Sequence, residues 1–220
     1  VRVRYSLVWH SFDADMRRAF GTFFLLAGAS LLLTVGYAYG AGAVARRHAR
    51  VTWTAMEANG SVSSSLTNAD ELPAHRDLAR GEPVGRIVIP SISLDEVFIE
   101  GVGDAQLAVA PGHLPESALP GRPGNAVISA HRDRQFHALD QLAIGDTIVT
   151  ETFGGRTTWT VVARRVVERG RPALFATTDP TLTLTTCWPV RYVGPAPDRL
   201  IITAKPVPSA RPRAQAPPQG

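Results

Sequence analysis

Three side chains far apart in this sequence could assemble acyl-transfer chemistry: His131 in NAVISAHRD, Cys187 in TLTLTTCWP and Arg199 in DRLIITA. A thiolate attacks carbonyl carbon, an imidazolium can protonate a departing amine, and a guanidinium offers a permanently charged fork of donors to an oxyanion. Cys187 is the only cysteine, so no internal disulfide can claim it. A free cysteine commonly packs as a small hydrophobe, so its surroundings must decide. Cys187 closes a run of strand-forming residues, and His131 ends an apolar run where a buried strand emerges into a loop. Arg199 opens an apolar strand directly after the loop WPVRYVGPAPD. If the strands of Cys187 and Arg199 pair across that loop, the two side chains reach one cleft. Arg191 is nearer in sequence but belongs to the loop.

Other candidates read more blandly. His113, in APGHLPES, suits a loop histidine bonded to backbone, and His137 falls on the exposed side of a short helix. The segment HRDRQFH brings His131, Asp133 and His137 together, yet it lacks the third histidine or second cysteine of a usual metal set. Asp95, Glu96 and Glu100 read as a solvated face rather than a calcium site. No cofactor is therefore expected, and calcium dependence has no support in the sequence.

The elements that must position the three residues divide the chain unevenly. Residues 19–45, AFGTFFLLAGASLLLTVGYAYGAGAVA, carry no charge, with Arg17 and Arg18 before and Arg46 and Arg47 after. That run is long enough for a helix to cross a bilayer and longer than the apolar core of a cleavable signal peptide. An uncleaved signal anchor is expected, with residues 1–18 as a cytoplasmic segment. The flanking arginines, Arg2, Arg4, Arg17 and Arg18 against Arg46, Arg47 and Arg50, bias the N-terminus only slightly toward the cytoplasm. This orientation makes the chain a single-pass membrane protein with its folded domain on the extracytoplasmic side.

Residues 46–81 are expected to form a helix-extending stalk and flexible spacer that holds the domain off the membrane, and residues 206–220 a proline-rich disordered tail. Between them, residues 82–205 alternate short Val- and Ile-rich runs with Pro, Gly and Ser. Beyond PVGRIVIPSISLDEVFIEG, strands are expected at 126–130, 147–151, 157–167, 181–186 and 200–204, with short helices near 104–108 and 136–142. This spacing predicts an all-β sandwich or barrel. The formal charge of +4 gathers beside the apolar span and in the tail. It suits lipid headgroups better than nucleic acid, which is not expected as a partner.

LTLTTCWP resembles the Thr-Leu-x-Thr-Cys strand of the bacterial sortases, and RLIITA resembles the next strand, which carries their arginine. GHLPESALPGRPGNAVISAHRD is similar to the segment leading to their histidine, and GRIVIPSISLDEVFIEG to their first two strands. The resemblance covers residues 82–205 and is nearest to class D through TTCWPVRYVGPAPDRLIITA. Ala130 departs from the glycine that many relatives place before the histidine.

The resemblance implies a closed eight-stranded sortase β-barrel and a membrane-anchored cysteine transpeptidase. Its catalytic residues would be Cys187 as nucleophile and thioacyl site, His131 as general acid and base, and Arg199 at the oxyanion. The substrates implied are surface proteins with a Leu-Pro-x-Thr-Gly-like C-terminal sorting signal, cut after Thr. The acceptor would be an amine, such as a peptidoglycan precursor or a pilin lysine. An apolar groove for the signal would be walled by Val127, Ile128 and Leu184, with Thr185 and Thr186 as possible peptide donors.

The chemistry needs a thiolate beside an imidazolium. With reference values near 8.5 and 6.5, independent titration leaves only ~1% of molecules in that state at pH about 7.5. Papain-like proteases place cysteine before histidine, opposite to this order, and the Ser-His-Gly-Cys cluster of L,D-transpeptidases is absent. The remaining alternative is a non-catalytic membrane-anchored β-domain that binds or scaffolds a partner.

Overall fold

The computed structural model describes residues 6–59, 78–170, 177–192 and 194–208. Helix α1 runs over Ser6–Ala58, and the chain divides into two compact units, Val1–Ala45 and Arg46–Gly220. In the first unit the charge-free run is helical, and Phe23, Leu26, Leu32 and Leu33 are exposed along it. The stretch Met16–Ala58 contains a window long and apolar enough to cross a membrane.

The second unit is a barrel of eight strands: β1 Pro83–Ile89, β2 Leu94–Glu100, β3 Gly112–His113, β4 Asn125–Ser129, β5 Thr147–Thr152, β6 Gly155–Glu168, β7 Thr181–Trp188 and β8 Asp198–Pro206. They close in the order β1-β2-β3-β4-β7-β8-β6-β5, with β5 paired to β1. The pairs β2–β3 and β4–β7 are parallel and the others antiparallel. Closure gives every strand a strand neighbour on both sides, which suits strands this rich in Val, Ile and Thr.

Side chains alternate across the wall of the barrel. Ala126, Ile128 and Ala130, Leu182 and Leu184, and Leu200, Ile202 and Ala204 fill the interior with Phe98, Phe136 and Trp159. Val127, Ser129, Thr183, Thr185, Ile201 and Thr203 take the opposite phase and form the outer face. The Trp159 indole donates to Thr150 Oγ1 at 2.8 Å, so its polar edge is satisfied in the core.

The expected strands all form. β3 is an addition: two residues inside a stretch that reads as turns. It fits beside β2 because Gly112 has no Cβ; one built there would lie 2.1 Å from the Gly101 carbonyl oxygen. The expected one-turn helix forms as α2, Asp104–Leu107. The helix expected over 136–142 is reduced to a 3₁₀ turn at Leu139–Gln141. Its start is pre-empted because the His131 carbonyl accepts both the Arg134 and Phe136 amides, at 3.3 and 3.2 Å, folding the chain into successive turns.

Within the second unit, residues 46–58 are the end of α1 and pack on β2. Ala49 and Trp53 are buried with Val97, Ile99 and Ala110, and the Trp53 ring meets Phe153 edge-on at 5.5 Å. Arg50 donates to the Asp95 carbonyl at 2.8 Å and to the Glu96 carboxylate at 3.4 Å. Parts of the expected N-terminal segment (1–5), spacer (60–77) and tail (209–220) lie outside the described residues.

Candidate active site

Strand register brings the three sequence-predicted residues to one end of the barrel's outer face. Cys187 and Arg199 are direct antiparallel partners on β7 and β8, followed by Thr185 with Ile201 and Thr183 with Thr203. On the other side of β7, the parallel register runs from Asn125 with Thr181 to Ser129 with Thr185. β4 ends at Ser129, and continuing that register by two residues sets His131 opposite Cys187. With neighbouring strands about 5 Å apart, the row His131, Cys187, Arg199 has the nucleophile in the middle.

The backbone holds that row at both ends of Ala130. The Ala130 amide donates to the Thr185 carbonyl at 3.2 Å, and Thr186 Oγ1 donates to the Ala130 carbonyl at 2.8 Å. Residues flanking the nucleophile thereby grip the residue before the histidine. Ala130 itself fills the interior without a left-handed backbone, so glycine is not required there. His131, Cys187 and Arg199 are each half-buried. None of the three side chains has a hydrogen-bond or ion-pair partner among the described residues, which leaves all three groups available to a ligand.

The residues expected to bind substrate separate by strand phase. Ile128 and Leu184 are 0 % exposed in the barrel interior, so they are core and cannot wall an outer groove. Thr186 also faces inward, and its hydroxyl is committed to the Ala130 carbonyl. Val127 and Thr185 lie on the same face as Cys187. The Thr185 hydroxyl, with that of Thr203, is buried and has no hydrogen-bond partner among the described residues.

His113 is not a loop histidine. It ends β3 at 2 % exposure, with Nδ1 2.8 Å from the carboxylate of Glu100, itself 5 % exposed. Its Nε2 lies 3.0 Å from the Ala118 carbonyl and 3.1 Å from Ser117 Oγ. Ser, His and Glu in line resemble a hydrolytic triad in distance alone. The Ala118 carbonyl can only accept, so Nε2 carries a proton and donates. Ser117 Oγ donates to the Leu114 carbonyl at 2.7 Å and accepts from the Val127 amide at 3.1 Å. A serine so committed is no nucleophile. The cluster instead pins the segment 114–118 between β3 and β4. Glu100 corrects the expectation of a solvated acidic face.

Asp95 and Glu96 are also engaged, through arginine. Arg86 grips Asp95 with two bonds of 2.8 and 2.7 Å, which lowers the Asp95 carboxyl below its ordinary value. Burial raises Glu96 despite Arg50 nearby. Among the described residues no group of three or more His, Cys, Asp or Glu side chains converges to hold a metal ion. His137 is exposed and its Nδ1 donates to the Arg134 carbonyl at 2.7 Å.

The family model of the sortase domain matches residues 87–207, more than half of the chain. The chain belongs to the sortase family. This sortase is 31% identical over 152 residues to sortase D of Bacillus subtilis strain 168, spanning 68% of this chain and 76% of that one. Its fold is similar to a Clostridium perfringens sortase D5 transpeptidase, with a TM-score of 0.63 at 23% identity, covering 76% of this chain and all of the other. A C. perfringens sortase C, solved with the C-terminal cell wall sorting motif, gives 0.56 at 23% identity over 68% and 86% of the two chains. The barrel is the closed eight-stranded form typical of sortases, and membership makes this chain a transpeptidase enzyme.

Proposed function

We propose that this sortase is a membrane-anchored cysteine transpeptidase that cleaves a Leu-Pro-x-Thr-Gly-like sorting signal after Thr and transfers the new carboxyl end to an amine. The observation that carries the reading is the row of His131, Cys187 and Arg199 on one face, with no partners of their own among the described residues. The Cys187 thiolate attacks the threonine carbonyl, and its electron pair forms the C–S bond while the carbonyl oxygen becomes an oxyanion facing Arg199. As the intermediate collapses, the C–N bond breaks and His131 gives its proton to the departing amine. The acceptor amine then attacks the thioester, loses its proton to His131 and releases Cys187.

The extended signal would lie along the outer face of β4, β7 and β8, beside Cys187; Val127, Thr185, Ile201 and Thr203 stand on that face and are themselves nearly closed to solvent. The sorting motif bound to the C. perfringens sortase C supports a substrate of this class. The acceptor is an amine of a peptidoglycan precursor or of a pilin lysine. The apolar helix anchors the chain, with its N-terminus cytoplasmic, the barrel extracytoplasmic and lipid headgroups around the flanking arginines.

The test is turnover of a Leu-Pro-x-Thr-Gly peptide with an amine acceptor by the full chain in detergent micelles. Cys187→Ala should abolish transfer, and Arg199→Ala should reduce kcat by about 10²–10³-fold, as for loss of an oxyanion donor. Persistent turnover by Cys187→Ala would exclude the mechanism.

A further inference from the structure

The loop joining β7 to β8 carries the chain from Cys187 to Arg199, and among the described residues one side chain from outside the loop donates hydrogen bonds to it. That side chain is Arg132, the residue directly after His131. Its guanidinium donates through Nη1 to the Pro189 carbonyl at 2.9 Å and through Nη2 to the Gly194 carbonyl. Its Cζ also lies 5.6 Å from the ring centroid of Tyr192, within range of a cation–π contact. The two carbonyls lie two residues after Cys187 and five before Arg199. The bridge therefore touches the chain between the two functional residues and is anchored beside the third.

Arg132 spends its charge on no carboxylate among the described residues. A planar fork of donors can serve two carbonyls and stack under a ring together; a lysine ammonium is a compact point charge that cannot reproduce that geometry. The turn behind Arg132 is itself closed by the His131 carbonyl, which accepts two amides. A force on the loop is thus met at the histidine's own backbone.

We infer that Arg132 is a positioning residue: by bridging Pro189 and Gly194 beside Tyr192, it fixes the β7–β8 loop against the His131 turn and sets the spacing of His131 from Cys187 and Arg199. This rests on the mechanism proposed above and adds the device that keeps its three groups in register. Misplacement by about 1 Å can cost on the order of 10²-fold in rate without loss of binding, so the effect belongs in kcat.

The experiment uses the full chain in detergent micelles and compares wild type with Arg132→Gln, Arg132→Lys, His131→Ala and Cys187→Ala. Peptide transfer gives kcat and KM, and iodoacetamide alkylation of Cys187 across pH reports how the histidine and thiol interact. Arg132→Gln should lower kcat about 10–100-fold with KM within about threefold, and its alkylation profile should move toward that of His131→Ala. Arg132→Lys should recover only part of the loss.

A kcat within about twofold of wild type would overturn the inference, as would a lower kcat with the wild-type alkylation profile, which marks a merely structural arginine. Should Arg132→Gln melt below the assay temperature, Tyr192→Leu carries the same test: a smaller kcat loss and the same profile shift support the bridge, and no change in either overturns it. Turnover by Cys187→Ala would instead defeat the underlying mechanism. An inert Cys187→Ala beside an unaffected Arg132→Gln defeats only the role of Arg132.

Discussion

One histidine ends β3 and another follows the end of β4 by two residues, and the two have opposite fates. β3 pairs with β4 with Gly112 opposite Ser129 and His113 opposite Ile128, so His113 and His131 belong to adjacent chains of one wall. His113 is buried, and both ring nitrogens are bound, to Glu100 on one side and to Ala118 and Ser117 on the other. His131 is half-buried at the strand's exit, and its ring has no partner among the described residues. Distances resembling a triad therefore mark structure in the first case, and in the second an open row of groups is free for the chemistry proposed above. A histidine with all its hydrogen bonds made has no proton to trade.

The sharpest way to break this comparison is to remove each ring in turn. His131→Ala should lower turnover about 10²–10⁴-fold, the usual contribution of a general acid–base group, with little change in melting temperature. His113→Ala should do the reverse. It leaves Glu100 buried without its partner, at a cost of about 3–5 kcal/mol, while folded molecules keep their turnover. Thermal melting beside single-substrate kinetics separates the two. Equal stability losses, or an activity loss confined to His113→Ala, would undo the assignment.

A smaller effect tests how the active row is held. Thr186→Val removes the hydroxyl that donates to the Ala130 carbonyl but keeps the branched shape, and should cost about 1–3 kcal/mol because that carbonyl loses a buried partner. Chemical denaturation reads the loss. A neutral result would mean that the register of β4 against β7 holds Ala130 unaided.

The smallest effect concerns the acidic residues remote from the row. Asp95 is depressed mainly by its hydrogen bonds from Arg86, so its contribution is complete above its unfolded value and is lost as pH falls through its folded one. Glu96 has the opposite sign. Burial raises it above the ordinary 4.5, so the folded state holds its proton longer and stability declines as pH rises from 4.5 through the raised value. Glu96→Gln should remove that decline from denaturation curves measured between about pH 3 and 7, and Asp95→Asn should flatten the acid loss. Both carboxylates reach solvent, so each change should be no more than about 1 kcal/mol.

Much of the positioning was legible before any coordinates. Short Val- and Ile-rich runs at regular spacing indicated the strands, and the loop between Cys187 and Arg199 left the pairing of their strands as a condition that the register of β7 and β8 meets. The phase of β7 was equally available: in TLTLTTCWP the leucines alternate with threonines, and an interior filled by Leu182 and Leu184 sets Thr185 and Cys187 on the other face. Applying that period would have removed Leu184 and, through the pairing of β4 with β7, Ile128 from the groove. The two-residue β3 was not legible, because no periodicity exists in two residues. Nor was the burial of Glu100, which depends on a partner 13 residues away meeting it across a parallel pair. The Arg132 bridge uses backbone carbonyls as acceptors, and these leave no mark on a sequence.

The most direct test of the central claim is the intact mass of the full chain after mixing with a Leu-Pro-x-Thr-Gly peptide and no amine acceptor. The account predicts a mass gain equal to the peptide fragment ending in Thr, carried by Cys187, absent from Cys187→Ala, and removed when an amine is added. A folded enzyme that releases cleaved peptide while never carrying that fragment, or that carries it equally in Cys187→Ala, would contradict it.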